Sequence, residues 1–294
     1  MSFLPINKSF LFKILSLFSV VRGYNILFII IAQFISSIYM LSENGSILVV
    51  VYDVNIWLII FSSAFSISAG YIINNVFDSE KDLINRPLKT TLEKEISGRT
   101  KLLVYVFLNI ITLTLAFLVS LKAFFFFSIY IIGIIIYSIK ISKYPFIGNL
   151  FSVILAITPF FAIILYYKNY SIEIFSHALF LFLIVLIREV VKDLENFVGD
   201  FTLNYFTIPV KYGEQVSKAY ISFCSILVLI VTYLILVFYE LSYMKYFYLF
   251  NYIFFAFFNY RIWNSDSKDN YQYLHNSLKL LIVLGLFSII LHGI

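Results

Sequence analysis

The stretch Asn74-Asn75-Val76-Phe77-Asp78-Ser79-Glu80-Lys81-Asp82 sets the oxygen-bearing side chains of Asn74, Asp78 and Asp82 four residues apart. On a helix, positions i, i+4 and i+8 share one face in steps of about 6 Å along the axis. Oxygen ligands in such a row suit magnesium, which keeps several waters and is held by one or two carboxylates together with substrate phosphates. A second stretch, 188–200 (Arg-Glu-Val-Val-Lys-Asp-Leu-Glu-Asn-Phe-Val-Gly-Asp), places Asp193, Asn196 and Asp200 at i, i+3 and i+7, again on one face. Arg188 and Lys192, with Lys140 and Lys143 from another loop, can add positive charge for an anionic substrate. The competing reading is a pair of solvated helix ends. It loses weight because both clusters adjoin long apolar runs, where ionisable groups are costly and usually functional.

The elements that must position these clusters follow from hydropathy. The chain has 294 residues, of which 62% are hydrophobic and 13% charged, whereas a soluble domain carries about 25% charged residues. Its mean hydropathy is +0.95. Nine runs contain no Asp, Glu, Lys or Arg: 23–42, 54–77, 102–121, 123–139, 144–167, 174–187, 219–239, 246–260 and 280–294. A helical crossing takes about 20 mostly apolar residues, so five runs qualify alone and four need their flanks. The runs lack the alternation of a membrane strand, which predicts an all-α polytopic membrane protein of about nine spans rather than a barrel. No Pro/Gly/Ser linker divides the chain, so 1–294 reads as a single transmembrane domain. With the N-terminus in the cytoplasm, 18 of the 21 Lys and Arg residues fall inside, and only Lys122, Lys168 and Lys245 fall outside. Both acidic clusters are then cytoplasmic and the C-terminus is outside. The same asymmetry accounts for the net charge of +5, so no nucleic-acid partner is expected. The one cysteine, Cys224, lies mid-span, and His177, His275 and His292 lack metal-ligand spacing, which points to packed or interfacial histidines. The N-terminal segment reads as an interfacial helix rather than a signal peptide, because Arg22 interrupts it.

The arrangement resembles the UbiA superfamily of intramembrane prenyltransferases, whose first motif is Asn-Asp-x-x-Asp-x-x-x-Asp and whose second is Asp-x-x-x-Asp. Residues 69–78 (Ala-Gly-Tyr-Ile-Ile-Asn-Asn-Val-Phe-Asp), with Asp82 and Asn85-Arg86-Pro87, are similar to the first motif and its tail. Arg22 and Asn25 resemble the family's first-helix Arg-x-x-Asn. Tyr137-Ser138 with Lys140, Lys143 and Gly148-Asn149 resembles its fourth-to-fifth loop, and Thr207 to Gly213 the segment after its second motif. Within the superfamily, Arg188-Glu189-x-x-Lys192-Asp193-x-Glu195 is most similar to the branch that contains digeranylgeranylglyceryl phosphate synthases. The resemblance spans residues 22–213. Asn75 stands where an Asp is usual, Asn196 where the second motif opens with Asp, Lys89 where Arg is common and Ser142 where Lys is common.

The resemblance implies a UbiA-type helical bundle that transfers a prenyl group from a prenyl diphosphate donor to a lipid or aromatic acceptor in the bilayer. It implies Mg²⁺ bridging the diphosphate to Asn74, Asp78 and Asp82 on one side and to Asp193, Asn196 and Asp200 on the other. It implies that Asp78, Asp82, Asp193 and Asp200 carry the catalytic charge. Arg22, Asn25, Asn74, Arg86, Tyr137, Lys140, Lys143, Arg188, Lys192 and Asn196 are then the expected substrate-binding set. A glycerol-phosphate prenyl ether lipid is the implied product. A quinone-pathway enzyme with an aromatic acceptor would use the same machinery. A transporter would also gather acids in the membrane, but near the midplane, and a non-catalytic prenyl-lipid-binding protein would fit the two asparagine replacements.

Overall fold

The computed structural model describes residues 8–42 and 47–292, all in helices and turns, with no strand among the described residues. In chain order the helices are α1 (Lys8–Val20), α2 (Gly23–Ser36), α3 (Ile47–Tyr52), α4 (Val54–Phe77), α5 (Ser79–Asn85), α6 (Pro87–Glu93) and α7 (Gly98–Val119). There follow α8 (Leu121–Ile139), α9 (Ile147–Tyr167), α10 (Ile172–Glu195), α11 (Phe197–Thr202), α12 (Ile208–Phe238), α13 (Lys245–Trp263) and α14 (Lys268–Ser288). Eight described helices are long and apolar enough to cross a membrane: Gly23–Leu41, α4, α7, α8, α9, α10, α12 and Lys268–His292. The remaining expected run, 246–260, does form a helix, α13. Its four tyrosines and two asparagines keep it short of the apolarity of the other eight. The last two residues of the run 280–294 lie outside the described residues.

The chain divides into two compact units, Met1–Ile31 with Asn55–Ile139, and Ala32–Val54 with Lys140–Ile294. In the first unit, α7 packs on α8, and α6 packs on both α1 and α5. Helix α4 carries the small polar run Ser62, Ser63, Ser66 and Ser68, all buried. These hydroxyls bond to carbonyls of their own helix three or four residues back, so no donor is left bare in an apolar setting. Gly70 extends that face: a Cβ there would lie 3.2 Å from Ile134 Cγ2, so glycine sets how closely α4 approaches α8. By contrast α7 exposes Leu103, Phe107, Ile110 and Leu118, apolar surface of the kind that lipid covers.

In the second unit α10 is central and packs against α9, α12 and α14. Ile184, Ile187 and Val191 of α10 meet Ile221 and Val228 of α12, Phe255 and Phe258 of α13, and Leu278 of α14 in one core. Ser171 caps α10 by accepting from Ile174 N at 3.3 Å. Pro209 opens α12, whose first turn ends at Gly213, where φ 86° and ψ 170° break the helix. That conformation is open only to glycine. The break separates a short cap from a spanning segment and accounts for a helix of 31 residues where about 20 suffice.

Candidate active site

In the first unit the expected acidic face is intact although α4 ends inside it. Asp78 leaves helical geometry (φ −92°, ψ 6°) and separates α4 from α5. The backbone nevertheless continues in steps of four: Asp78 N bonds Asn74 O at 2.8 Å, Asp82 N bonds Asp78 O at 2.8 Å, and Arg86 N bonds Asp82 O at 2.7 Å. Asn74, Asp78, Asp82 and Arg86 therefore hold one register across the break. Ser138 Oγ on α8 donates to Asn74 Oδ1, which fixes that amide's orientation. Lys81 Nζ lies 3.5 Å from Asp78 Oδ2. Burial, and next the charge of Asp78, hold the Asp82 carboxyl above the ordinary aspartate range, while Lys81, Arg22 and Arg86 pull it down. Two carboxylates crowded so that a neighbour's charge raises proton affinity are a pair that a dication relieves.

The cations around this face are fixed by aromatic and amide contacts. Arg22, in the turn between α1 and α2, has φ 51° and sets its guanidinium 4.8 Å over the Tyr71 ring. Asn25 Nδ2 donates to the Tyr71 hydroxyl at 3.5 Å. Arg22 and Asn25 are thus tied to α4 about one turn before Asn74. Tyr137 is half-buried on α8 beside Ser138, and Lys140 is exposed where that helix ends. Asn75 does not join the ligand face: it is buried, donates to Glu93 Oε2 at 2.8 Å and accepts from Lys101 Nζ at 2.7 Å.

The second unit repeats the device. Asn196 (φ −96°, ψ 10°) separates α10 from α11 much as Asp78 separates α4 from α5. Again the ladder survives, with Asn196 N on Lys192 O at 3.0 Å and Asp200 N on Asn196 O at 3.1 Å. Asp193 and Asp200 are buried, and Asn149 Nδ2 on α9 donates to Asp193 Oδ2 at 2.7 Å. Asn196 Oδ1 is buried with no hydrogen-bond partner among the described residues. A buried carbonyl oxygen without a donor is costly, and a cation is the partner its chemistry fits. Lys143 Nζ sits 5.1 Å over the Tyr205 ring, and its carbonyl accepts from Phe206 N at 3.0 Å. Tyr205 N in turn bonds Asp200 O at 2.9 Å, so Lys143 is joined to the second cluster.

Arg188 and Lys192 are partly committed elsewhere. Arg188 Nη2 lies 2.9 Å from Glu189 Oε1, Lys192 Nζ pairs with Glu189 Oε2, and Ser152 Oγ donates to the same oxygen at 3.1 Å. Glu195 is held by His275 Nδ1 at 2.5 Å, which fastens the end of α10 to α14, and His177 packs on Tyr248 with Nδ1 2.5 Å from its hydroxyl. Tyr71, Ser138, Asn149 and Glu189 hold site residues, and Glu93 and Lys101 hold Asn75 beside Asn74, roles that sequence reasoning does not give them. Tyr71, Ser138, Asn149 and Glu189 stand inside the motif stretches, which marks their place but not their partners. Glu93 and Lys101 carry no such signal. Among the described residues no three His, Cys, Asp or Glu side chains gather into a metal site by themselves. Each cluster instead offers two carboxylates and one amide, a donor set that fits Mg²⁺ completed by water and phosphate oxygens.

The UbiA prenyltransferase family model matches residues 26–283, a range that runs through both units and both clusters. Digeranylgeranylglyceryl phosphate synthase of Thermococcus gammatolerans is 33% identical over 168 residues, which is 57% of this chain and 60% of that protein. The protein of the same name from Saccharolobus solfataricus is 30% identical over 167 residues, 56% and 59% of the two chains. The chain thus matches about three fifths of the length of these relatives. Among solved structures, one from work on digeranylgeranylglyceryl phosphate synthase superposes with a TM-score of 0.70 at 23% identity, over 96% of this chain and 99% of that one. A UbiA homologue from Archaeoglobus fulgidus bound to DMAPP and Mg²⁺ superposes with a TM-score of 0.72 at 16% identity, over 95% and 99%. At these identities the superpositions establish the fold.

Proposed function

Because the chain belongs to the UbiA prenyltransferase family, we propose that it is an integral membrane enzyme catalysing Mg²⁺-dependent transfer of a prenyl group from a prenyl diphosphate to a lipid acceptor. The acceptor class we assign is a glycerol-phosphate prenyl ether lipid, supported by the name shared by its relatives. The observation that carries the reading is the unbroken ladder Asn74–Asp78–Asp82–Arg86, which lines up metal-seeking oxygens with a phosphate-seeking guanidinium. Magnesium would be held by Asn74, Asp78 and Asp82 in the first unit and by Asp193, Asn196 and Asp200 in the second. When bound, it supplies Lewis-acid stabilisation of the charge that develops on the departing diphosphate.

The chain's own residues do the rest. Arg86 and Arg22 offer planar, permanently charged forks for phosphate oxygens, and Asn25 with Tyr71 keeps Arg22 aimed. Lys140, Lys143 and Tyr137 supply further contacts to phosphate or acceptor. Arg188 and Lys192 contribute the net positive charge left after Glu189 is satisfied. The excess of Lys and Arg in the loops that hold both clusters supports a cytoplasmic N-terminus and cytoplasmic active-site loops.

The test is purified protein with Mg²⁺, a series of prenyl diphosphates and a membrane lipid extract, with products read by mass. Prenylated glycerol-phosphate lipid is the expected product. A prenylated aromatic would replace the acceptor assignment. Unchanged turnover in Asp78→Ala would remove the first cluster from the mechanism. Labelling of a cysteine placed at Ser79 only from the outer face would reverse the orientation.

A further inference from the structure

Glu93 is 2% exposed, yet it ends a short polar helix in a loop. Burying a carboxylate is costly unless charges and donors meet it. Here three do: Asn75 Nδ2 on Oε2 at 2.8 Å, Ser19 Oγ on Oε1 at 3.0 Å, and Lys89 Nζ at 3.4 Å from Oε1. Lys101, 7% exposed, donates to Asn75 Oδ1 at 2.7 Å, on the other side of the same amide. A side-chain amide can accept from an ammonium and donate to a carboxylate at once, which a carboxylate cannot do. Asn75 is therefore the group that Glu93 and Lys101 jointly require. An Asp at 75 would put two carboxylates face to face.

What this assembly holds is the first ligand face. Ser19 lies three residues before Arg22, Asn75 adjoins Asn74, and Lys89 lies three residues after Arg86. One buried carboxylate thus fastens α1, α4 and α6, and through Asn75 also α7. The first three each carry or adjoin a residue assigned to metal or diphosphate. We propose that Glu93 and Asn75 are a positioning pair for diphosphate: the negative charge that a carboxylate at 75 would carry resides at 93, and the amide transmits it to Lys101. This rests on the prenyl-transfer reading above.

The pair is tested by reversing it. The full chain in nanodiscs is compared as wild type, Asn75→Asp, Glu93→Gln and the double variant. In the double variant the amide introduced at position 93 can donate to the carboxylate introduced at position 75, Lys101 keeps an acceptor, and net charge is unchanged. Each single change strands a buried polar group, so KM for prenyl diphosphate should rise about tenfold or more while kcat falls less, and the double variant should return to within about threefold of wild type. Losses that multiply in the double variant overturn the proposal. So do single variants that melt earlier with KM unchanged, the mark of a purely structural brace. Should Asn75→Asp not fold, Glu93→Asp, which keeps the charge and shortens its reach, is expected to raise KM in part, and an unchanged KM overturns the proposal. Should wild type transfer no prenyl group, the function above fails separately. Calorimetric binding of inorganic diphosphate with Mg²⁺ then reads the same cycle, and absence of the rescue pattern overturns the pairing.

Discussion

Replacing Asn149 with leucine removes the 2.7 Å hydrogen bond to Asp193 Oδ2 at nearly constant volume. Both residues are buried, at 8% and 7% exposure, so water cannot easily take the place of the lost donor. A hydrogen bond to a charged group contributes about 1.5–3 kcal/mol, which corresponds to ~10- to ~150-fold in an equilibrium constant. Residues that orient metal ligands from behind contribute about 10- to 100-fold to metal affinity or activity. The overlap is one to two orders of magnitude. If Asp193 is the carboxylate that compensates for the neutral Asn196, this loss appears as a rise in the Mg²⁺ concentration for half-maximal diphosphate release, about 10- to 100-fold. Asn149→Asp would go further, since it sets a second carboxylate against Asp193. The assay is diphosphate release across a magnesium titration at saturating donor. An unchanged magnesium dependence in Asn149→Leu, with a lower melting temperature, would refute the argument and leave the bond as a tie between α9 and α10.

Two further outcomes follow from local geometry. At Gly213 a Cβ meets nothing within 4 Å, so the cost of Gly213→Ala is conformational alone. A residue held at φ 86° and ψ 170° should lower stability by about 1–3 kcal/mol, read as an earlier thermal unfolding midpoint in detergent, and an unchanged midpoint would refute the strain. Glu189→Gln removes the counter-charge shared by Arg188 and Lys192. Breaking a buried pair costs about 3 kcal/mol, while the freed cations favour an anion. The expected result is earlier melting with KM for prenyl diphosphate lowered or unchanged, and a raised KM would show that Glu189 aims these cations rather than competes for them.

Much of this architecture was legible because it depends on short-range periodicity. Charge-free runs are read by length alone, and the row Asn74, Asp78, Asp82 is read from a spacing of four that the backbone ladder preserves. The helix breaks at Asp78 and Asn196 were not legible, since neither site carries a proline or glycine. Their benign dihedrals leave the backbone register in steps of four intact, although the single continuous helix assumed for it is broken. The status of 246–260 turned on composition: its tyrosines and asparagines lower its hydropathy below that of the other eight helices, although it forms a helix of 19 residues. The division into two units was hidden because no linker marks it. The supporting residues were invisible for a different reason. Glu93 lies 18 residues from Asn75, Lys101 lies 26 away, and Asn149 lies 44 from Asp193. Nothing local requires those pairs, and only packing brings them together.

That separation explains how a membrane chain can hold so many acids near its apolar runs. A carboxylate at such a boundary must be met either by permanent partners or by a cation that comes and goes. Glu93, Glu189 and Glu195 take the first course, with two or more donors on the first two and a histidine on the third. In the proposed mechanism the two Asp/Asn rows take the second. Burial and the charge of Asp78 raise the proton affinity of Asp82 above the ordinary aspartate range, and among the described residues Asn196 leaves an oxygen without a donor. The two neutral positions then have opposite meanings. Asn75 is an amide because a fixed carboxylate already faces it. Asn196 is an amide in a row whose charge is supplied by Asp193 and Asp200 on either side. A change of Asn75 to the family's usual Asp should therefore harm this protein, whereas Asn196→Asp adds a negative ligand to an unfilled oxygen position and should lower the magnesium requirement. A shift in the opposite direction for Asn196→Asp would place the metal away from that oxygen.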